Sequence, residues 1–155
     1  MQAQPVSNFK SLSVLHVSLL TGQLVFGAIA YYMKYTGSMG MTHLGVELKY
    51  ILIGLAVFGC AMIAVAFAMY NKKVRELNGG NKSVREKLVA YRAANLIRWA
   101  MLETPVLLAI VAFLLTGNIN FLIIAGVVLL LFLMTRPTIN KAATELNMSR
   151  EEVQS

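Results

Sequence analysis

The stretch ILIGLAVFGCAMIAVAFAMY, residues 51–70, runs for twenty positions without a charge and is followed at once by NKKVRE, residues 71–76. An α-helix rises about 1.5 Å per residue, so twenty residues cover roughly the 30 Å of a bilayer's hydrocarbon core. In that solvent a helix satisfies its own backbone groups, which lipid-exposed irregular chain cannot do. The stretch therefore reads as a transmembrane helix that stops where lysine and arginine begin.

Similar stretches lie on both sides of it. Spans are expected at 12–33, 46–70, 96–116 and 119–135, which predicts an all-α integral membrane protein, a four-helix transmembrane bundle over residues 1–135. Composition agrees: 14% of the chain is charged, against about a quarter in soluble domains, and mean hydropathy is +0.65. Four spans consume most of the 155 residues and leave no room for a separate soluble domain. Residues 71–95 are expected to form a cytoplasmic helical hairpin and 136–155 a short cytoplasmic C-terminal tail. The first span carries His16 and Gln23 and exceeds the roughly 7–15 apolar residues of a signal peptide, so it is expected to be retained.

Charge sets the orientation. Between the second and third spans stand Lys72, Lys73, Arg75, Lys82, Arg85, Lys87, Arg92 and Arg98, against only Glu76 and Glu86. Cytoplasmic loops carry such excess, so this loop and both termini are expected inside, with residues 37–48 and 117–120 outside. Tyr31, Tyr32, Tyr35, Tyr50 and Phe121 then fall at the outer interface, and Tyr70, Tyr91 and Trp99 at the inner one. Lys72, Lys73, Arg75, Arg85, Lys87 and Arg92 are candidates for contact with lipid headgroups or a partner. The net charge of +7 is thereby absorbed by the bilayer, and no nucleic-acid partner is expected.

Local punctuation is consistent with this layout. Asn78-Gly79-Gly80-Asn81 offers residues that tolerate left-handed backbone at a helix stop, and Ser83 with Glu86 forms an S-x-x-E capping box. Arg136-Pro137 breaks the chain after the fourth span. A short amphipathic helix to Asn147 is expected next, then a second capping box from Ser149 and Glu152. An echo links Asn71-Lys72-x-x-x-Glu76-Leu77-Asn78 with Asn140-Lys141-x-x-x-Glu145-Leu146-Asn147, which suggests two duplicated helical hairpins arranged as parallel repeats.

Little catalytic chemistry is visible. Cys60 is the single cysteine, which excludes an intramolecular disulfide and a multi-thiolate metal site, and aspartate is absent. No catalytic residue, metal or cofactor is singled out. Glu103 stands inside the third span, where a charge costs about 2.5–3.5 kcal/mol on insertion scales and calls for a partner, a proton or water. Pro105 frees the carbonyl of Met101 beside it. If the first and third helices run parallel, Gln23 has a similar depth, and a contact between Gln23 and Glu103 is expected. Two readings of the pair stay open: interhelical hydrogen bonding, worth about 0.6–2 kcal/mol, or a proton or ion site. His16 is read as an interfacial or satisfied histidine. Ala56, Cys60, Ala64 and Ala68 form a small-x-x-x-small ladder for helix packing. The fourth span, aliphatic all round, is expected to be the most lipid-exposed.

Ala100-Met101-Leu102-Glu103-Thr104-Pro105-Val106-Leu107-Leu108-Ala109-Ile110-Val111-Ala112-Phe113 resembles the ion-binding helix of the proteolipid subunits of rotary ATPases. The likeness is carried by the third helix and extends weakly back to residue 50. It implies that Glu103 carries a proton or sodium ion and that Thr104 helps to coordinate it. The sequence thus leaves two leading functions, with a membrane enzyme ranked below them because no nucleophile–base pair, metal cluster or cofactor loop is visible. One is a non-enzymatic subunit or assembly scaffold of a membrane complex, among other membrane subunits or copies of itself. The alternative is a proteolipid-like protein that binds or translocates a proton or cation through Glu103, Gln23 and Thr104.

Overall fold

The computed structural model describes residues 9–38 and 47–154. Most of the connection expected over residues 37–48, and the start of the second span at 46, lies outside them. Six helices follow in order: α1 (Phe9–Tyr35), α2 (Leu48–Asn78), α3 (Val84–Thr116), α4 (Asn120–Met134), α5 (Ile139–Leu146) and α6 (Arg150–Gln154). There is no strand among the described residues.

Helices α1, α2 and α3 are each long and apolar enough to cross a membrane. The fourth expected span is shorter than the sequence suggested. At fifteen residues α4 rises only about 22 Å. It is long enough to span only together with α5, to which it is bent by 73°. The break falls where Pro137 removes an amide donor.

The termini follow local chemistry. Ser83 caps α3: its hydroxyl accepts the Glu86 amide while the Glu86 carboxylate accepts the Ser83 backbone N–H at 2.9 Å. Ser149 and Glu152 make the same reciprocal pair before α6. The α2 stop departs from expectation, since Gly79 has φ −89° and its N–H bonds back to the Arg75 carbonyl without a left-handed residue. Left-handed backbone appears instead at Gly117 (φ 72°), which ends α3, and at Asn147 (φ 49°), which ends α5.

Helix α3 is the hub, packed against α2, α4 and α1, with α4 also touching both α1 and α2. No comparable interface joins α1 to α2. The duplicated-hairpin expectation is therefore not met in space: α3 packs along α4, but α1 does not pack along α2. One side of α3 consequently stays uncovered, and Ile97, Ala100, Thr104, Leu108, Val111 and Leu115 are exposed along it. Nor is α4 the most exposed helix, because Phe121, Ala125, Val128 and Phe132 bury one face of it.

Two cores result. The larger fills the bundle around Trp99, Leu102, Val106, Ile110, Phe113 and Phe132. The smaller sits at the basic end of the bundle, where Tyr70, Leu77, Leu88 and Tyr91 meet Ala142, Leu146 and Val153. Residues after 136 are thus not a free tail; α5 and α6 are docked across the α2–α3 hairpin. The start of α1 joins them there, Phe9 stacking on Tyr91.

Candidate functional site

Glu103, Gln23 and Thr104 are not brought together. His16 lies against Trp99, and Gly27 against Ile110, with the same offset in sequence. That register sets Gln23 beside Val106 and Leu20 beside Glu103, so the two polar groups miss one another by about one helical turn. Glu103 is half-buried at the margin of the uncovered face of α3 and has no hydrogen-bond or ion-pair partner among the described residues. Thr104 is exposed and donates its hydroxyl to the Ala100 carbonyl at 3.0 Å, back-bonding within its own helix. Gln23 is 1% exposed, yet neither its amide oxygen nor its nitrogen finds a protein partner. It lines a groove of about 210 Å³ between α1, α3 and α4, beside Gly27, Ile110 and Gly126.

The small-residue ladder also faces away from the bundle. Cys60, Ala64 and Ala68 are exposed and Ala56 is half-buried. Gly59 and Ala66 do the intramolecular packing instead, the Cα of Gly59 passing so close that a methyl there would lie 3.7 Å from Pro105. Of the basic candidates, Lys72, Lys73, Arg75 and Arg85 are exposed, while Lys87 and Arg92 are half-buried.

The densest polar constellation is one the sequence reading passed over. Arg98, counted among the loop cations, is only 2% exposed. Its guanidinium lies 3.7 Å from the centroid of the Tyr70 ring, donates to Asn95 Oδ1 at 2.7 Å, and reaches the Thr135 carbonyl at 3.3 Å. Glu145 of α5 supplies the opposite charge. One of its carboxylate oxygens accepts both phenols, from Tyr70 at 2.5 Å and from Tyr91 at 2.7 Å, and its backbone carbonyl accepts the Asn78 amide at 2.7 Å. Burial, together with the neighbouring Tyr70 and Glu145, holds the Tyr91 phenol well above the usual phenol range. Glu103 is thus not the only ionisable group inside the bundle.

These partners come from α2, α3, α5 and the turn after α4, so the arrangement ties the basic end together. It holds a cation at the face of the Tyr70 ring and an anion at its hydroxyl, with the Tyr91 phenol on the same carboxylate oxygen. Arg98 and Glu145 do not touch; Tyr70 links them, stacked on the guanidinium and hydrogen-bonded to the carboxylate. Deeper in the bundle, His16 Nε2 donates to the Phe132 carbonyl at 3.0 Å, and its ring stacks on Phe132 and meets Trp99 edge-on. That matches the satisfied-histidine expectation at one nitrogen; Nδ1 finds no protein partner. Among the described residues no three His, Cys, Asp or Glu side chains gather as a metal site.

The signal for the Arg98–Glu145 pair was present but weak. Arg98 is a lone cation two residues inside the third apolar span, and Glu145 is the sole carboxylate of an amphipathic segment. Comparison with protein-family models, with curated proteins and with solved structures gives no match.

Proposed function

We propose that the chain is a non-enzymatic subunit or assembly scaffold of a membrane complex, inserted as a multi-pass protein with its basic end and both termini in the cytoplasm. Its rigid basic end, clamped by Glu145 and Arg98, presents Lys72, Lys73, Arg75 and Arg85 to anionic headgroups or to a partner's acidic surface. The observation that carries this reading is Glu103, a carboxylate without a partner among the described residues at the edge of a helix face that they leave uncovered. In lipid such a group is costly, and a donor from a neighbouring membrane helix removes the cost. The outward ladder of Cys60, Ala64 and Ala68 supports the same reading, because small residues let a second backbone approach closely.

The experiment is site-specific photocrosslinking in native membranes from Thr104 and from Ala64. A discrete adduct with another polypeptide, or with a second copy, is expected at one or both positions. The Thr104 adduct should be lost on Glu103→Ala. Adducts with lipid alone would refute the scaffold reading.

The resemblance of the third helix to rotary-ATPase proteolipids supports a second reading, in which the same unpartnered Glu103 carries a proton or cation. It predicts carbodiimide modification of Glu103 that sodium or raised pH suppresses. An unreactive Glu103 would count against it.

A further inference from the structure

Between α2 and α3, near the basic end and open on the side that α1 and α4 leave uncovered, lies a cavity of about 370 Å³. Its walls are Ala66 and Met69 from α2 and Ala93, Ala94 and Ile97 from α3. Alanines at facing positions hold the helices close but leave the seam unfilled. Two cations complete the lining: Lys73 at the rim and Arg98 at the base, with Tyr70 between them. No carboxylate lines it. Lys73 touches Glu76 at 3.4 Å, but that pair is about half exposed on both sides and weak for that reason. Arg98 is buried, and its Nε–H finds no protein partner.

We propose that this cavity binds one anionic phospholipid, an acyl chain entering the alanine-walled seam and the phosphate resting between Lys73 and the Arg98 edge. Lys73 and Ala66 lie two helical turns apart, so the site spans roughly 10 Å along the axis, the reach from a headgroup to the first methylenes of its chain. Its volume is at the low end for ligand pockets, which suits part of one chain and excludes a whole bilayer lipid. Charge complementarity favours a net-negative headgroup over a zwitterionic one. The surrounding segment also suits it, since the apolar run of α2 ends at Tyr70 and Lys72, Lys73 and Arg75 follow. The site rests on the membrane reading but not on any partner chain at Glu103.

The test is native mass spectrometry of the full chain, purified in detergent and incubated with phosphatidylglycerol, phosphatidylcholine or inorganic phosphate. One phosphatidylglycerol per chain should be retained, with about tenfold preference over phosphatidylcholine, and millimolar inorganic phosphate should not displace it. Lys73→Gln should cut the preference to threefold or less. Ala93→Leu, made at an exposed helical position, should fill the seam and abolish retention of both lipids. Equal retention of the two lipids by the unaltered chain would overturn the site, as would displacement by phosphate alone. Retention by Ala93→Leu equal to that of the unaltered chain would do the same. A chain that needs detergent yet fails to discriminate loses the lipid site while the membrane reading stands.

Discussion

Replacing Glu145 by alanine removes the single oxygen on which Tyr70 and Tyr91 converge. A buried donor left without a partner costs about 1–3 kcal/mol. Tyr70 borders an open cleft of about 380 Å³ shared with Asn71, Arg75 and Glu145, so water can reach its phenol and the lower half of that range applies to it. Tyr91 is more deeply enclosed, at 1% exposure. Together they give about 2–5 kcal/mol, with Arg98 also losing a nearby negative charge. The effect should concentrate in local opening of α5 and α6, whose attachment runs through this residue. At about 1.4 kcal/mol per tenfold, the opened fraction should rise by roughly thirtyfold to a few thousandfold. Limited trypsinolysis reads it directly, because cutting at Lys141 or Arg150 requires the helices to leave the hairpin, and its rate follows the opened population when reclosing is fast. Glu145→Gln keeps an acceptor and should fall well short of the alanine change. Cleavage of Glu145→Ala within about threefold of the unaltered chain would refute the argument that this carboxylate holds the basic end together.

Ser83→Ala should cost about 1 kcal/mol through loss of the α3 cap, seen as roughly fivefold faster hydrogen exchange at the Glu86 amide. Gly117→Ala forces a methyl into left-handed backbone at φ 72° and should destabilise by about 1–2 kcal/mol, with Gly117→Asn recovering part of it in thermal unfolding. Hydrogen bonds from the Ser83 backbone and hydroxyl hold the Glu86 carboxyl below the usual carboxylate range, and those from Ser149 do the same for Glu152. Both caps should therefore be intact at neutral pH and weaken as pH falls through those lowered values, which amide chemical shifts at Glu86 and Glu152 would follow. The raised Tyr91 phenol should stay protonated through the pH range in which exposed tyrosines ionise, contributing to a shortfall in tyrosinate absorbance that Tyr91→Phe reduces by one tyrosine.

Features set by neighbours in sequence were legible. The three long apolar helices, the two capping boxes, the α2 extension to Asn78 and the short helix to Leu146 each depend on residues within a turn or two of one another. What was not legible depends on pairing across the chain. Tyr70 and Glu145 are 75 positions apart, and Arg98 and Thr135 are 37 apart. Only its place just inside the third apolar span sets Arg98 apart from the loop's other cations, and nothing local names its partners. The Gln23–Glu103 expectation failed for a related reason: periodicity gives each helix its face, but the axial register between α1 and α3 is set by how His16 fits between Trp99 and Phe132. The spacing of the ladder on α2 does not say which neighbour it faces; within the bundle Gly59 and Ala66 make the close approach, and Cys60, Ala64 and Ala68 are left outward.

The lack of an extensive interface between α1 and α2 among the described residues bears on the order in which the molecule assembles. As the nascent chain emerges, its first two helices have little to hold each other by. On the proposed membrane reading, they stay separate rods until α3 arrives. The five-residue turn from Gly79 to Ser83 then closes the first substantial interface cheaply, since short loops sacrifice little chain freedom. Only afterwards does α1 acquire a docking surface, shared between α3 and the late-arriving α4.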